Sequence, residues 1–332
     1  MSVADSTRVV GSTSHVGSGR ETGRDRVPWR LAVLPETLEI GSARRYCRQV
    51  ASRHYENFTV ATRLVPARLR QHLANVYAFA RWSDDLADEA ASSAEAAGTL
   101  AAWRRGLEAC FAGRPDHPVY LALADTVREA GLEIEPFSDL IAAFEEDQAF
   151  DAAGAAVRYP SRAALLHYCS RSANPVGRIV LALEGCREPC LVSMSDAICT
   201  GLQLVNFWQD VRRDRLAGRV YIPAEDLARH GVDESALDAA QASSRVQSLL
   251  QDEVRWARSF FDMGAPLQCV APRGLRPAIE LFVAGGRAVA DAIERCGYDT
   301  LRARPTVSRW RKAALSARAW WRLWAAPDRG RQ

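Results

Sequence analysis

The sequence predicts an all-α fold in a single helical domain. Three observations predict it. From about residue 36 onward Ala, Leu, Arg and Glu fill long windows, and these are good helix formers. No stretch alternates apolar and polar residues as a half-buried strand must, and no unit repeats at a fixed period. Two acidic stretches far apart carry their polar residues at helical spacing. Tyr77, Arg81, Asp84 and Asp88 stand at offsets 0, 4, 7 and 11, and Gln203, Asn206, Asp210 and Asp214 at 0, 3, 7 and 11.

Residues 1–28 are rich in Ser, Gly and Arg with little apolar periodicity, and are expected to form a disordered tail. The glycines of Gly17–Gly23 follow no strand and have the wrong final spacing for a dinucleotide loop. The pattern then predicts helices over 41–52, 66–89, 94–112, 117–130, 136–148, 161–184, 191–215, 223–229, 233–262, 274–296 and 306–325. Breaks are expected at Gly113-Arg114-Pro115, at Gly154 with Pro160, at Gly185 with Pro189, at Gly218, at Gly231, at Pro266 with Pro272, and at Gly297. No linker divides the body, so residues 29–305 are expected to form one all-α domain. A basic, Trp-rich C-terminal helix occupies 306–332.

Composition removes several function classes. The 332 residues carry a net charge of +3, with no basic tract that would mark a nucleic-acid partner. Lys312 is the single lysine, which argues against Schiff-base chemistry and a Walker-type phosphate loop. Eight cysteines form no Cys-x-x-Cys pair and sit mostly in apolar helical context, as buried free thiols of a reducing cytosol would. The six histidines lack metal-ligand spacing, so zinc is not expected. No 18-residue apolar run and no signal segment are evident, and a cytoplasmic location is expected.

The acidic stripes point to chemistry because of what surrounds them. Ala74, Val76, Ala78, Phe79, Ala80 and Leu86 make the first helix apolar elsewhere. Leu202, Leu204, Val205, Phe207 and Trp208 do the same for the second. Buried carboxylates are costly unless paired or metal-bound, and two facing pairs repel. A divalent cation removes that repulsion, and Mg²⁺ suits carboxylates that share it with substrate phosphates. Arg81 has two readings: a partner for Asp84 or Asp85, or a diphosphate ligand. Gln203 and Asn206 either satisfy helix neighbours or orient phosphate and water.

Other stretches add to the pattern. Gly218–Pro223 is either an interhelical turn or a flap whose Arg219 reaches an anion. In Tyr168–Gly177, Pro175 breaks an apolar helix, and the small residues Ser172, Ala173 and Gly177 open space for a bulky apolar ligand unless the kink is purely structural. In Trp310–Trp324, Trp310, Ala313, Ala314, Ala317, Trp321 and Trp324 share one face with Arg311, Arg318 and Arg322 beside it. That helix either docks on the body or lies at a membrane interface.

The paired motifs Tyr77–Asp88 and Gln203–Asp214, followed by Gly218–Pro223, resemble those of the squalene/phytoene synthase family over about residues 36–300. The resemblance implies an isoprenoid-synthase helical bundle with a central apolar cavity for a polyisoprenyl diphosphate. It implies Mg²⁺ held by Asp84, Asp88, Asp210 and Asp214, and a diphosphate bound by Arg81, Gln203 and Arg219. It also implies cavity-lining residues at Ala173 and Gly177. The coupling enzymes carry a lysine where this chain has Glu56, in His54-Tyr55-Glu56-Asn57-Phe58. That segment, with Tyr77–Arg81 and Ala173–Gly177, resembles the hydroxysqualene synthase branch. The reaction implied is presqualene diphosphate and water to hydroxysqualene and diphosphate. Tyr55, Phe58 and Tyr168 would offer aromatic faces to the carbocation, and Tyr77 or Asn206 would position the water. No nicotinamide cofactor is expected. Pathway enzymes that make presqualene diphosphate and reduce hydroxysqualene are the expected partners, with peripheral contact at the inner face of the membrane through the C-terminal helix. Two alternatives stand beside this: a head-to-head coupling transferase, and a non-catalytic helical partner of membrane isoprenoid enzymes.

Overall fold

A computed structural model describes residues 38–54, 64–154, 156 and 158–325. The expected tail and the Tyr55–Phe58 segment, with Glu56, lie outside the described residues. The described chain is helical almost throughout. Its main helices are α1 (Ile40–His54), α2 (Arg70–Asp88), α3 (Ser93–Phe111), α4 (Pro118–Ala130), α5 (Glu135–Ala153), α6 (Arg162–Ser172) and α7 (Asn174–Ala182). There follow α8 (Pro189–Leu216), α9 (Ala224–Arg229), α10 (Ser244–Gly264), α11 (Leu267–Val270), α12 (Arg276–Arg295) and α13 (Arg309–Ala325).

Local chemistry sets the ends. Ser92 caps α3 by accepting from Glu95 N–H at 3.2 Å, while the Glu95 carboxylate accepts from Ala91 N–H at 2.9 Å. Ser161 and Ser243 cap α6 and α10 in the same way. The helix expected over 161–184 divides at Ala173, because Pro175 has no N–H to continue it. Asn174 is buried at that break and its Oδ1 accepts from Thr200 Oγ1 of α8 at 3.0 Å. The helix expected over 233–262 divides too: a 3₁₀ turn spans Glu234–Asp238 before α10 begins at Ser244.

The helices form two neighbourhoods. In the first, α2 packs with α1, α3, α4 and α5; in the second, α8 packs with α6, α7, α10 and α12. Helix α5 links the two, packing on α2 as well as on α6 and α7. The acidic stretches therefore lie on different central helices, one in each half.

Aromatic packing fixes the rotation of α2. Phe79 stacks on Trp103 at 6.0 Å between centroids and meets Phe137 edge-on at 5.4 Å. Trp103 Nε1 donates to Ser83 Oγ at 2.9 Å, and Trp82 Nε1 donates to Tyr46 Oη at 3.1 Å. In the second half, Arg162 of α6 bonds Asp226 of α9 and Glu253 of α10, each at 3.0 Å, and so staples three helices. Burial and the nearby Asp226 push the Glu253 carboxyl above the usual carboxylate range, against the pull of Arg162.

Two sequence expectations change here, and the C-terminal helix takes the docked alternative. Helix α8 is long and apolar enough to cross a membrane by length and composition, contrary to the expectation that no such segment exists. It is nevertheless the central packing helix of the second half, and it carries the second acidic pair. Of the cysteines, Cys47, Cys110 and Cys169 are buried, but Cys190, Cys269 and Cys296 are exposed. Helix α13 docks on α12 through buried Ala319, and Arg318 bonds Glu280 at 3.0 Å. Of the predicted stripe, Trp310, Ala313, Ala314, Ala317 and Trp321 face solvent.

Candidate active site

On α2 the expected stripe is real. Val76, Ala78, Phe79, Trp82 and Leu86 are buried, whereas Tyr77, Arg81 and Asp84 are half-buried and Asp88 is exposed at the helix end. Arg81 is a partner of the acids here: Nη1 lies 3.1 Å from Asp84 Oδ2, and Nη2 donates to Asp85 Oδ1 at 2.5 Å. Burial opposes the guanidinium charge, but Asp84 and Asp85 outweigh it and raise the Arg81 pKa.

On α8 the same division holds. Leu204, Val205, Phe207, Trp208 and Val211 are buried; Gln203, Asp210 and Asp214 are half-buried, and Asn206 is exposed. The other side of α8 presses on Phe261 of α10. A Cβ on Gly201 would stand 3.1 Å from that ring, and one on Gly286 of α12 only 2.3 Å from it. These close approaches leave the polar stripe as the accessible face.

Asp214 is strongly perturbed by its surroundings. Burial pushes its carboxyl up to about 7, and the Asp210 charge one turn away adds to the shift against Arg213, Arg219 and Arg158. Asp210 itself is held by Arg304, which bonds both its oxygens.

A polar centre that sequence reasoning missed lies on α5, the helix that packs on both halves. Asp147 and Asp151 of α5 form a third Asp-x-x-x-Asp pair, at the very spacing that marked the other two. Tyr168 of α6 donates its hydroxyl to Asp147 Oδ2 at 2.8 Å, and Arg158 Nη1 lies 3.6 Å from Asp147 Oδ1. Burial pushes the Asp147 carboxyl up to about 6, although the Tyr168 hydrogen bond and Arg158 oppose it. Arg158 also bonds Asp151. Arg219, expected on a diphosphate, donates to Asp151 Oδ2 at 2.5 Å. Burial pushes Asp151 up, yet Arg219 and Arg158 together hold it below its ordinary range. Around this centre the rings of Tyr159, Tyr168, Phe207 and Tyr221 gather, with Phe207 and Tyr221 stacked at 3.9 Å. A void of about 10 Å³, the size of one water, lies between Phe207, Asp214, Arg219 and Tyr221.

At the kink, packing is close. A Cβ on Gly177 would stand 2.3 Å from Ser195 Oγ and 2.7 Å from Cys199 Sγ, so Gly177 serves the close packing of α7 on α8. Ala173 is half-buried at the α6–α7 junction. Tyr55 and Phe58 lie outside the described residues.

Comparison with known proteins decides the family. The squalene/phytoene synthase family model matches residues 45–311. The chain belongs to the squalene/phytoene synthase family. Its members are isoprenoid synthases of the head-to-head prenyltransferase type. A phytoene synthase from Arthrospira platensis is 32% identical over 279 residues, 80% of this chain and 88% of that protein. A 15-cis-phytoene synthase from Synechococcus elongatus is also 32% identical, over 85% of this chain and 92% of its own length. The crystal structure of squalene synthase HpnC from Alicyclobacillus acidocaldarius is 37% identical, with a TM-score of 0.74 over 79% of this chain and 97% of that one. A dehydrosqualene synthase in complex with ligand gives 25% identity and a TM-score of 0.75 over 86% and 97%. The isoprenoid-synthase helical fold expected from the sequence is thus the fold observed.

Within this family fold, the donor set fits a hard divalent cation. Among the described residues no three acidic, histidine or cysteine side chains converge into a protein-only metal cage. Each stripe instead offers two carboxylates on one face, with Asp214 raised by burial beside Asp210. That arrangement suits Mg²⁺, which takes one or two carboxylates and completes its shell with waters and phosphate oxygens.

Proposed function

We propose that the protein is a hydroxysqualene synthase, converting presqualene diphosphate and water to hydroxysqualene and diphosphate. The observation that carries this reading is Glu56, a carboxylate where the coupling enzymes carry a phosphate-binding lysine. An enzyme that holds a single diphosphate has no use for that lysine, and a carboxylate there repels a second one. The 37% identity to a structure described as squalene synthase HpnC supports a squalene-type product over a phytoene-type one.

In this reading Asp84, Asp88, Asp210 and Asp214 would hold Mg²⁺, which would supply counter-charge to a diphosphate leaving group. Arg81 sits beside Asp84, where it can donate charge-assisted hydrogen bonds to the same group. The carbon–oxygen bond breaks with its electron pair leaving on the diphosphate. The cyclopropylcarbinyl cation rearranges by ring opening. Tyr168, the ring around which Tyr159, Phe207 and Tyr221 gather, is assigned to stabilise the positive charge without reacting with it. A water oxygen then bonds the cation and loses one proton, which the released diphosphate accepts. Asn206, exposed on the stripe, and Tyr77 are the residues assigned to orient that water.

We further propose a cytoplasmic protein that touches the inner face of the membrane through α13. In support, Trp310 and Trp321 are 81% and 66% exposed, beside the cationic Arg309, Arg311, Lys312 and Arg318.

The second reading, a coupling transferase, draws on the two phytoene synthases at 32% identity. Incubation of the purified protein with Mg²⁺ and either presqualene, farnesyl or geranylgeranyl diphosphate separates them, with apolar products read by mass. Hydroxysqualene from presqualene diphosphate without NADPH is expected, and near-inertness toward farnesyl diphosphate alone. Efficient coupling of two prenyl diphosphates would overturn the reading in favour of the transferase.

A further inference from the structure

An apolar groove opens at the point where the described chain begins. It lies between Ile40 of α1, Phe111 at the end of α3, and Leu121, Ala124 and Val127 of α4. Its volume is about 610 Å³, within the range of pockets that enclose a drug-sized body. Helix α4 turns Ala122, Leu123 and Thr126 inward, where they are buried, and leaves Leu121, Ala124 and Val127 only half-covered. Ile40 is 40% exposed, and Leu38 two residues ahead of it is 48% exposed. The charged residues on the lining are Asp125 and Arg128. Asp125 is engaged: it accepts from Arg44 Nε at 3.0 Å and from Arg128 Nη2 at 2.5 Å. The rest of the lining offers an apolar surface with the dimensions of a ligand site, on the far side of α4 from the α2 stripe's own core.

The chain itself supplies a matching occupant. Immediately ahead of Leu38 the sequence reads Trp29-Arg30-Leu31-Ala32-Val33-Leu34-Pro35-Glu36-Thr37. Trp29, Leu31, Val33 and Leu34 are large and apolar, and Arg30 is the one charge between Trp29 and Pro35. Exposing four such side chains beside an uncovered apolar groove costs free energy that burying them together recovers. Nine residues reach at most about 30 Å, enough to run the length of such a groove from its Ile40 end. Attachment at Leu38 also gives this segment an effective concentration on the order of millimolar, ahead of a free partner. Its Glu36 complements Arg128, which is largely exposed on the rim.

We propose that residues 29–37 dock in the groove between α1, α3 and α4 and complete the apolar packing of that face. The occupant is this chain's own segment, and the groove is its intramolecular binding site. The docked segment ties the end of α3 and the outer side of α4 to α1. It also fixes where residues 1–28 leave the body. The proposal goes beyond the preceding reading and holds whichever prenyl diphosphate the enzyme takes.

The test uses the full chain and limited trypsin, with each bond's rate normalised to the same bond in a free peptide of residues 20–37. Arg26 and Arg30 fall on either side of the boundary at residue 28. Cleavage after Arg30 should be at least about tenfold slower than after Arg26, because a docked segment must open before it is cut. Hydrogen exchange read by mass should likewise be slower over residues 31–37 than over 1–28. Leu121→Arg places a charge on the groove wall and should bring cleavage after Arg30 to the rate after Arg26. The double variant Leu31→Ser with Leu34→Ser leaves the helical body untouched, so it carries the test even if Leu121→Arg misfolds. It should release Arg30 in the same way and speed exchange in peptides covering residues 111–128. Equal cleavage after Arg26 and Arg30 in the unaltered chain would overturn the proposal. So would protection of Arg30 that both variants leave intact, which would put the segment elsewhere. Protection lost on dilution as a dimer dissociates in sedimentation would overturn it too, in favour of a second copy.

Discussion

Replacing Asp214 with asparagine should make the metal-free protein more stable while destroying its activity. The wild-type carboxyl is pushed from 3.8 up to about 7, first by burial and then by Asp210. A gap of about three pH units corresponds to about 4 kcal/mol of penalty on the ionised form. Asp214 is only half-buried, so solvent relaxation reduces the working figure to about 2 kcal/mol. For an acid raised by folding, stability is fully present below the unfolded value near 3.8 and is lost as pH rises through the folded value near 7. Asparagine has no such ionisation to lose. The variant should therefore match wild type near pH 4 and gain steadily above it, reaching about 2 kcal/mol at pH 8.5. For a chain of this size that is about 4 °C in Tm. Differential scanning calorimetry without divalent cation reads the gap at pH 5, 7 and 8.5. Added Mg²⁺ with pyrophosphate should then close or reverse it, because a ligand that binds only the native state stabilises the protein that binds it. A variant that melts below wild type at pH 8.5, or a gap indifferent to Mg²⁺ with pyrophosphate, would refute the reasoning.

Three further outcomes are expected. Tyr168→Phe removes the donor to Asp147 and should cost about 1–3 kcal/mol in urea unfolding. The loss should be larger at pH 8 than at pH 5, since Asp147, pushed up to about 6, is ionised only above that value. Gly177→Ala forces a Cβ to within 2.3 Å of Ser195 Oγ and should cost about 1–3 kcal/mol. Ser195→Ala in the same chain should recover part of that loss, and a cycle showing no coupling would deny the packing role. The double variant Trp310→Ser with Trp321→Ser should co-sediment several-fold less with anionic lipid vesicles while melting as wild type does. Equal sedimentation would remove α13 from any membrane contact.

The sequence by itself determined the features that repeat every three or four residues. The helical class, the stripes Tyr77–Asp88 and Gln203–Asp214, and the break at Pro175 are all visible there. Each is a relation between neighbours on one helix, and periodicity preserves such relations in one dimension. Even the missed pair Asp147 and Asp151 was visible by that rule. Tertiary structure decided which charge meets which. Arg219 reaches Asp151 and Arg304 reaches Asp210 across 68 and 94 positions of chain, where no spacing rule operates. It also decided that Gly177 serves the approach of two helices, and that α13 docks through Ala319 with Trp310 and Trp321 facing outward. An amphipathic pattern names a face but not its neighbour. The neighbour is chosen by the whole bundle, through the cost of leaving a buried charge or a void unfilled.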